Sequence, residues 1–510
     1  MGTYILRRLI LMIPTLIGIT FLVFMLVALS PGGVGASLRA AGGSMQSDSG
    51  SADIQQAYLE DRYGLDDPVV MQYLRWLHRV SPIKFGQRGQ ELPNGEVIAT
   101  PRAVKEPPAW QWFVDKLPEP PLATLDVAAV PSEAEKRDRL FRAANSVYAG
   151  ARQKLIAERT RLEIALGTFA TATGRGDIVD HTGKPDLGAL VNVKPDLTRA
   201  EGEPVAAQWS KTLAAYENAI KAHAELTAIY DATLFPQVGV AVIPGVLSLA
   251  RPDLGQSFTR GRPVIDLITT ALPVTLMLNL IAFPIIYLIA VPFGMLAAVK
   301  KDGWQDTVLG GLFVALWSIP TVWAGVMFLG YLCSKQYLQL FPTGGIGSKD
   351  NADMLFLPVI GVDGFERGFA LDALWHVALP VFCLVYGGFA ILSKQTRAAM
   401  LENFSADYVR TAKAKGVAGR DVIFQHVFRN SLLPLITMFA TIFPAMLAGS
   451  VVIERIFSVP GMGSLVIEAI NLRDREVLLA NTLIIAAVNL LALLLADILY
   501  AMCDPRISYK

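Results

Sequence analysis

The chain has 510 residues, of which 53% are hydrophobic and 17% are charged, and its formal net charge is +1. This composition is too apolar for an ordinary soluble protein, and the balanced charge gives no indication of nucleic-acid binding. The apolar residues cluster into runs of about 20 residues, the length needed to cross a bilayer. The sequence therefore predicts an all-α integral membrane protein with six transmembrane helices, near residues 9–29, 272–298, 308–333, 374–392, 432–453 and 477–502.

The first apolar run, within residues 1–30, has the outline of a secretory signal because Arg7 and Arg8 precede it. Its length of about 20 residues exceeds the 7–15 residues of a signal core. We therefore expect this segment to be retained as the first transmembrane helix.

The lysine and arginine residues predict the orientation of the chain. Arg7 and Arg8 precede the first helix, two lysines at 300–301 follow the second, and several more cations crowd the loop at residues 393–431. Such residues accumulate in cytoplasmic loops. If the helices alternate in direction, both termini are cytoplasmic and residues 31–270 are external, or periplasmic.

The region between the first two predicted helices is unusually long. We divide it into an external segment at residues 31–80 and an external insertion at residues 81–250. Within the insertion, two alanine-rich stretches at about 132–170 and 204–234 repeat their large apolar or aromatic residues at every seventh position. Two such stripes joined by a connector rich in Gly, Pro and Asp predict an antiparallel helical hairpin that packs like a short coiled coil.

No residue pattern indicates a catalytic or metal site. His181 lies in the connector and is expected to be solvated, and His223 lies in the second stripe and is expected to be packed. The cysteines lie in or at the ends of predicted spans, where they act as small apolar residues: Cys333, Cys383 and Cys503. The phosphate-binding GxxxxGK[ST] pattern is absent, so we expect this chain neither to hydrolyse ATP nor to bind a cofactor.

A charged loop at residues 393–431 separates the fourth and fifth predicted helices. Residues 408–415 have a helix-forming composition, and Gly416 can end that helix in the left-handed conformation. Asp421 is placed to cap a second helix over residues 421–430. We expect the exposed residues of the first helix to pack into a groove on a soluble partner: Tyr408, Val409, Arg410, Ala412 and Lys413. Charge alone favours the alternative of a solvated cytoplasmic loop that follows the positive-inside rule.

Seven stretches of the sequence carry a family resemblance. They are MGTYILRRLILMIPTLIGITFLVFMLVALSPGG, YGLDDPVVMQYLRWL, DLGQSFTRGRPVIDLITTALPVTLML, HVALPVFCLVYGGFAILSKQTRAAMLENFSADYVRTAKAKGV, FQHVFRNSLLPLIT, VVIERIFSVPGMGSLVIEAINLRDREV and LADILYAMCDPRIS. In this order they resemble the permease subunit of ATP-binding-cassette importers in the peptide/nickel family. The resemblance implies a type I ABC importer permease fold, with the helical hairpin as an external insertion between helices 1 and 2. It also implies a permease core at residues 251–510 with five transmembrane helices.

The resemblance also implies roles for residues. The stretch 407–416 is similar to the family signature whose helix docks in a cleft of the ATP-hydrolysing subunit, although Arg-Thr-Ala here replaces the frequent Glu-Ala-Ala. The implied coupling residues are Asp407, Tyr408, Arg410, Thr411, Ala412, Lys413 and Gly416. The residues implied to set the angle between the loop and the next membrane helix are Arg429, Asn430 and Pro434. The residues implied to form an external turn near the pore mouth are Glu454, Phe457, Pro460, Gly461 and Gly463.

The resemblance implies a subunit of an importer in the bacterial cytoplasmic (inner) membrane, with di- or oligopeptides as cargo. The implied partners are a second homologous permease, two ATP-binding subunits of one or two kinds that use ATP and Mg, and an external solute-binding protein. Nickel or another peptide-like solute stays open as an alternative cargo. No role for the insertion at residues 81–250 is implied: it could strengthen docking of the binding protein, hold a second partner, replace part of the receptor or be a tolerated addition.

Two other functional classes stay open on the residues alone. A channel or secondary transporter would need a buried charged relay or internally repeated halves. A membrane-anchored scaffold would use the external hairpin and would not need the stretch 407–416. Polar residues within the spans are expected to make structural hydrogen bonds, Asp497 near the cytoplasmic end and Asn279 and Asn489 between helices.

Overall fold

The computed structural model describes residues 2–29, 64, 67–93, 95, 97–123, 131, 133–179, 185–186, 202–257, 259–348, 354–361 and 364–503. The predicted external segment at residues 31–80 therefore lies largely outside the described residues, as do His181 and most of the hairpin connector. The chain divides into two compact units. We call Met1–Ser30 together with Leu254–Lys510 the membrane unit, and Pro31–Asp253 the insertion unit.

The helices of the described residues are α1 (Gly2–Leu29), α2 (Val69–Val80), α3 (Ala134–Ala172), α4 (Glu203–Asp231), α5 (Val264–Val299), α6 (Trp304–Ser318), α7 (Thr321–Phe328), α8 (Gly368–Phe404), α9 (Asp407–Ala414), α10 (Arg429–Ile456), α11 (Met462–Asn471) and α12 (Arg475–Cys503). Shorter helical segments are Trp110–Trp112, Gly176–Ile178, Leu329–Cys333, Gly419–Asp421 and Val422–Phe428. The strands are β1 (Ile83–Phe85), β2 (Gln90–Glu91), β3 (Val97–Ile98), β4 (Val240–Ile243), β5 (Leu247–Leu249), β6 (Val359–Gly361) and β7 (Gly364–Glu366).

Helices dominate, as predicted, and the described residues also contain three small antiparallel sheets that were not predicted. One sheet has the order β1-β5-β4, and the other two are the pairs β2-β3 and β6-β7. The strands β4 and β5 read VAVI and LSL, rich in β-formers, and a Pro-Gly turn joins them. Strands this short give almost no periodic signal, so a reading based on long apolar runs misses them.

Four helices within the described residues are long and apolar enough to cross a membrane: Tyr4–Leu29, Val264–Val299, Gly368–Phe404 and Arg475–Leu499. The segments Trp304–Ser318 and Thr321–Cys333 become a fifth span if counted together, but they are bent by 83°. The predicted span at residues 308–333 is therefore broken by a bend. Its cause is Pro320, which pushes Ile319 before it into the extended conformation.

The sixth predicted span, residues 432–453, lies inside α10. Side chains 439–449 of this helix lie outside the described residues, so the count of six spans stays a prediction.

Helices α5 and α8 form the centre of the membrane unit. Leu278, Ala282 and Ile286 recur at every fourth position of α5 and are fully buried in its core. Small residues allow the two helices to approach closely. A Cβ added at Gly294 of α5 would lie 2.6 Å from the backbone oxygen of Ser393 on α8.

Helices α3 and α4 form an antiparallel pair in the insertion unit. The start of α4, at Trp209, packs against the end of α3, at Phe169. In the same part of the pair, the buried carboxylate of Glu158 on α3 accepts a 2.6 Å hydrogen bond from Gln208 Nε2 on α4. His223 makes an edge contact with the ring of Tyr148, so it is packed between the helices.

Candidate coupling surface and external turn

Helix α9 is anchored to its own chain by one face. Val409 is fully buried and Ala412 nearly so, three positions apart and therefore on one side of the helix. Val409 belongs to an apolar cluster with Ala298 of α5, Met400 of α8, and Val422 and Val427 of the segment before α10. The prediction that Val409 and Ala412 are exposed for a partner is therefore wrong, because these residues hold the helix in place.

The opposite face of α9 is exposed. The side chains of Asp407 and Arg410 are 97% and 75% exposed, and their 3.5 Å ion pair lies in water, where such pairs contribute little to stability. Thr411 and Lys413 are exposed as well, and Tyr408 is partly so while its hydroxyl donates to the side-chain oxygen of Asn403 on α8. The structure thus presents most of the predicted coupling residues on one polar surface, which we call the coupling surface: Asp407, Tyr408, Arg410, Thr411 and Lys413.

Gly416 ends α9 in the left-handed conformation, with φ at +77°. The N–H of Gly416 donates to the carbonyl of Lys413 at 3.0 Å, and the N–H of Val417 donates to the carbonyl of Ala412 at 3.2 Å. These two bonds form a Schellman motif, which satisfies the last carbonyls of a helix. A Cβ at position 416 would meet nothing within 4 Å, so the glycine is required for its backbone conformation and not for space.

The chain changes direction between Gly416 and Ala418. From Gly419 onward it is helical without a break, first as Gly419–Asp421, then as the π-helix Val422–Phe428, then as α10. Asp421 does not cap a helix, because the N-cap position is Ala418.

The residues predicted to set the angle between the loop and the membrane helix lie inside this continuous helical run: Arg429, Asn430 and Pro434. The change of direction itself lies at residues 416–418, because the helix has already begun at Gly419. The Asn430 side chain donates to the carbonyl of His426, one turn earlier, at 2.9 Å.

A groove of about 330 Å³ lies beside the buried face of α9. Its walls are largely apolar, with the Lys413 side chain at the rim, and the Lys413 ammonium lies 5.9 Å from the centre of the Phe404 ring. The lining residues are Val299, Phe404, Lys413, Val417, Gly419, Val422 and Ile423. The groove and the coupling surface together give the loop a shape that a rigid partner could recognise.

The predicted external turn is built around the carboxylate of Glu454, which is fully buried at the end of α10. It accepts a 2.6 Å hydrogen bond from the hydroxyl of Thr275 on α5 and a 3.0 Å bond from the N–H of Ser464 on α11. The Thr275 hydroxyl in turn accepts from the N–H of Met462 at 2.8 Å. Glu454 therefore ties three helices together through hydrogen bonds to a buried carboxyl group.

The two glycines of this turn are required for space. A Cβ at Gly461 would lie 2.5 Å from the Glu454 carboxylate oxygens, and one at Gly463 would lie 2.9 Å from Oε2 and closer still to the backbone of Val451. Phe457 is buried in the same turn, and its carbonyl accepts from the N–H of Gly345 at 3.0 Å. Of the five predicted turn residues, Pro460 is exposed, and the other four are buried in the turn.

Comparison with known proteins decides the family. Residues 290–509 match the family described as binding-protein-dependent transport system inner membrane component. The oligopeptide transport system permease protein AppB of Bacillus subtilis (strain 168) is 37% identical over 264 residues, which are 51% of this chain and 78% of AppB. The chain belongs to this family. It is a multi-pass inner membrane component of the ABC importer class.

Two further similarities accompany this assignment. The dipeptide transport system permease protein DppB of Escherichia coli (strain K12) is 35% identical over 268 residues, 51% of this chain and 77% of DppB. A solved inward-facing structure of the MetNI methionine ABC transporter aligns with 47% of this chain and 97% of that chain, at 12% identity and a TM-score of 0.36.

Three polar contacts of this inner membrane component escaped the sequence reasoning. Besides Thr275, buried Asp474 accepts from the hydroxyls of Ser257 at 2.6 Å and Thr259 at 3.1 Å. Arg397 of α8 holds Asp306 at the start of α6 through two bonds of 2.6 and 2.7 Å. Only a weak sequence signal pointed to the Asp474 contacts. The stretches DLGQSFTRGRP and NLRDREV, which carry the family resemblance, both contain polar residues.

The polar residues within the spans make only some of the contacts expected of them. Asp497 forms a 3.1 Å ion pair with Arg8, which joins α12 to α1. Asn279, expected to bridge helices, donates instead within α5 to the carbonyl of Thr275 at 2.8 Å. Within the described residues, no group of three or more His, Cys, Asp or Glu side chains lies close enough to hold a metal ion.

Proposed function

We propose that this chain is a permease subunit of an ATP-driven importer that carries di- or oligopeptides through the inner membrane. The coupling surface is the observation that carries the proposal. It is a short polar helix face, exposed to a partner, on a helix whose other face is buried in the chain's own core. Peptide as the cargo is supported by the similarity to AppB and DppB, whose names describe oligopeptide and dipeptide transport.

The proposed complex contains a second homologous permease, two ATP-binding subunits of one or two kinds and an external solute-binding protein. ATP and Mg are used by the ATP-binding subunits, and this chain binds no cofactor. Both termini face the cytoplasm, residues 31–270 are external, and the insertion at residues 81–250 with its helical hairpin stands on that side. Nickel or a peptide-like solute is the alternative cargo.

The packing of α9 gives a route by which ATP binding would move the membrane helices. A partner bound to Arg410 and Thr411 would pull on a helix whose Val409 packs against residues of α5, α8 and the π-helical segment. Because a packed apolar contact transmits displacement, these elements would move with α9 as one body. Rigid-body shifts of this kind are the usual means by which bound ligands switch multi-helix proteins between two states.

Purification of the tagged chain from its native membrane tests the proposal. We expect gentle solubilisation followed by mass spectrometry to recover two ATP-binding subunits and a second permease with the chain. Recovery of the chain alone, under conditions that keep other such complexes intact, would contradict the importer assignment and favour a channel or a scaffold.

A further inference from the structure

The β4–β5 hairpin of the insertion unit is apolar and protrudes. Every residue from Gly239 to Val246 is exposed, on both faces of the strand, and Val240, Val242, Ile243 and Val246 are each more than half exposed. The neighbouring strand β1 adds Ile83 and Phe85, at 44% and 66% exposure. Single exposed apolar residues are ordinary, but a contiguous set of this kind marks a surface that something covers.

The exposed edge of the hairpin carries no charged residue of its own. β4 is short and has a register shift between Ala241 and Ile243, and the Arg88 guanidinium reaches only its base, at the carbonyl of Gly239. β4 is an edge strand, because the sheet order is β1-β5-β4. Soluble proteins guard such edges with charged residues. Here no charged residue occurs between Asp231 and Arg251, and the only charge within the three strands is Lys84 on β1. The Lys84 ammonium is turned away to the carbonyls of His78 and Arg79 at the end of α2.

Part of the backbone hydrogen bonding of the hairpin tip is satisfied within the sheet. Gly245 has φ at +73° and follows Pro244, the signature of a type II turn, and the N–H of Val246 donates to the carbonyl of Ile243 at 3.0 Å. The carbonyl of Val246 accepts from the N–H of Gly86 at 3.0 Å, and Pro244 carries no N–H. Hydrogen bonds within the chain lower the cost of bringing backbone polar groups close to lipid, and the tip makes these two.

The residue types favour lipid over a protein partner as the covering surface. Binding hot spots in protein interfaces are enriched in Trp, Tyr and Arg, whereas Val and Leu are under-represented. Residues 236–250 contain none of the three enriched types and are dominated by Val, Ile and Leu. Residues 250–263 then connect β5 to α5, one of the helices apolar enough to span the membrane, so the hairpin is tethered to a membrane segment by a short stretch of chain.

We infer that the β4–β5 hairpin inserts its tip into the bilayer surface and anchors the insertion unit to the lipid. The tip residues Val242, Ile243 and Val246 enter the boundary between headgroups and acyl chains, as apolar faces of interfacial segments do. The anchor requires only that the chain is a membrane protein, so it stands or falls independently of the transported cargo.

Depth measurement with spin labels tests this anchor on the full chain in lipid nanodiscs. The background replaces Cys333, Cys383 and Cys503 by alanine, and single labels are placed with Ile243→Cys at the tip and Val147→Cys on α3. Val147 is the matched control because it is an exposed aliphatic residue of the same unit. We expect collisions with dissolved oxygen to exceed collisions with a water-soluble nickel chelate several-fold at position 243, and the reverse order at position 147.

Two results would overturn the anchor. If the label at 243 collides with the nickel chelate as often as the label at 147, the tip lies in water. If the label at 243 is shielded from both oxygen and nickel, the tip is covered by protein, and a docking partner or another segment of the chain takes the place of lipid.

Discussion

At the scale of single residues, Glu454 explains the composition of the external turn. Its buried carboxylate collects donors from α5 and α11, and it occupies the space that side chains at 461 and 463 would need. A buried carboxylate with several hydrogen bonds is stabilising only while all of them are kept. The two glycines are therefore explained by the space that the carboxylate occupies, and no gating role is needed to explain them.

This leads to a prediction for Gly463→Ala. The added methyl group collides with Val451 and Glu454, so we expect a loss of about 1–3 kcal/mol, the usual range for overpacking. The matched control is Gly419→Ala, because a Cβ at position 419 meets nothing within 4 Å. The measurement is the temperature at which the solubilised protein loses its monodisperse elution peak, and equal temperatures for the two variants would contradict the steric account.

A second prediction concerns Gly416, whose left-handed φ costs a branched residue about 1–2 kcal/mol. We expect Gly416→Val to lose most ATP-driven uptake while its amount in the membrane is unchanged, because the end of α9 is distorted and not the membrane helices. Gly416→Asn should retain most uptake, since Asn tolerates this conformation. Normal uptake by the Val variant would refute a coupling role for this turn.

A third prediction concerns Lys84, which lies on β1 of the β1-β5-β4 sheet. Burial lowers the pKa of Lys84 to about 8, with Arg79 adding to this shift and Asp253 opposing it. Only the neutral amine reacts with an acylating ester, so we expect labelling of Lys84, followed by mass spectrometry, to rise from pH 7 and level off above pH 9. A rate that still climbs steeply toward pH 10.5 would show that the ammonium is not buried as described.

At the scale of elements, α9 shows what a sequence can and cannot reveal. The end of α9 is encoded locally, since Gly416 is the residue type that a left-handed helix end requires, and it was predicted correctly as a structural position. Which face of α9 is buried depends on Met400 and Val427, which come from other elements. The spacing of Val409 and Ala412 was a usable signal that the charged residues around them obscured.

Other elements were beyond local signals. The bend at Pro320 interrupts a run whose apolar composition is uniform, so length and hydropathy alone read it as one span. The contact between Thr275 and Glu454 joins residues far apart in the sequence, and neither residue type identifies its partner. No sequence pattern indicates that Val422–Phe428 forms a π-helix and not an α-helix.

A fourth prediction separates the two faces of α9. Ala412 is buried and Ala414 is exposed, two positions apart on the same helix. We expect Ala412→Leu to destabilise the chain by about 1–3 kcal/mol through overpacking. Ala414→Leu should leave the thermal stability of the chain unchanged. The measurement is thermal loss of the monodisperse peak for both variants, and an equal or larger loss for Ala414→Leu would contradict the described packing of α9.

At the scale of the whole molecule, one chain combines two units of different chemistry. The membrane unit carries the family motifs, the coupling surface and the external turn, whereas the insertion unit carries a helical pair and an apolar hairpin. Residues 290–509 match the family, and the insertion unit lies outside that range. The change in composition allowed the helical pair to be predicted from the sequence, but the exposed hairpin became apparent only from the exposure of its side chains.

We propose that α9 transmits the ATP-driven motion of a partner subunit to the other helices of the membrane unit. Photo-crosslinking in the native membrane tests it most directly, with a photoreactive residue in place of Arg410 and, as the control, in place of Val147 on α3. The account predicts a crosslink from position 410 to an ATP-binding subunit and none from position 147. A transport-active complex that gives no such crosslink from position 410, or gives it equally from position 147, would contradict the account.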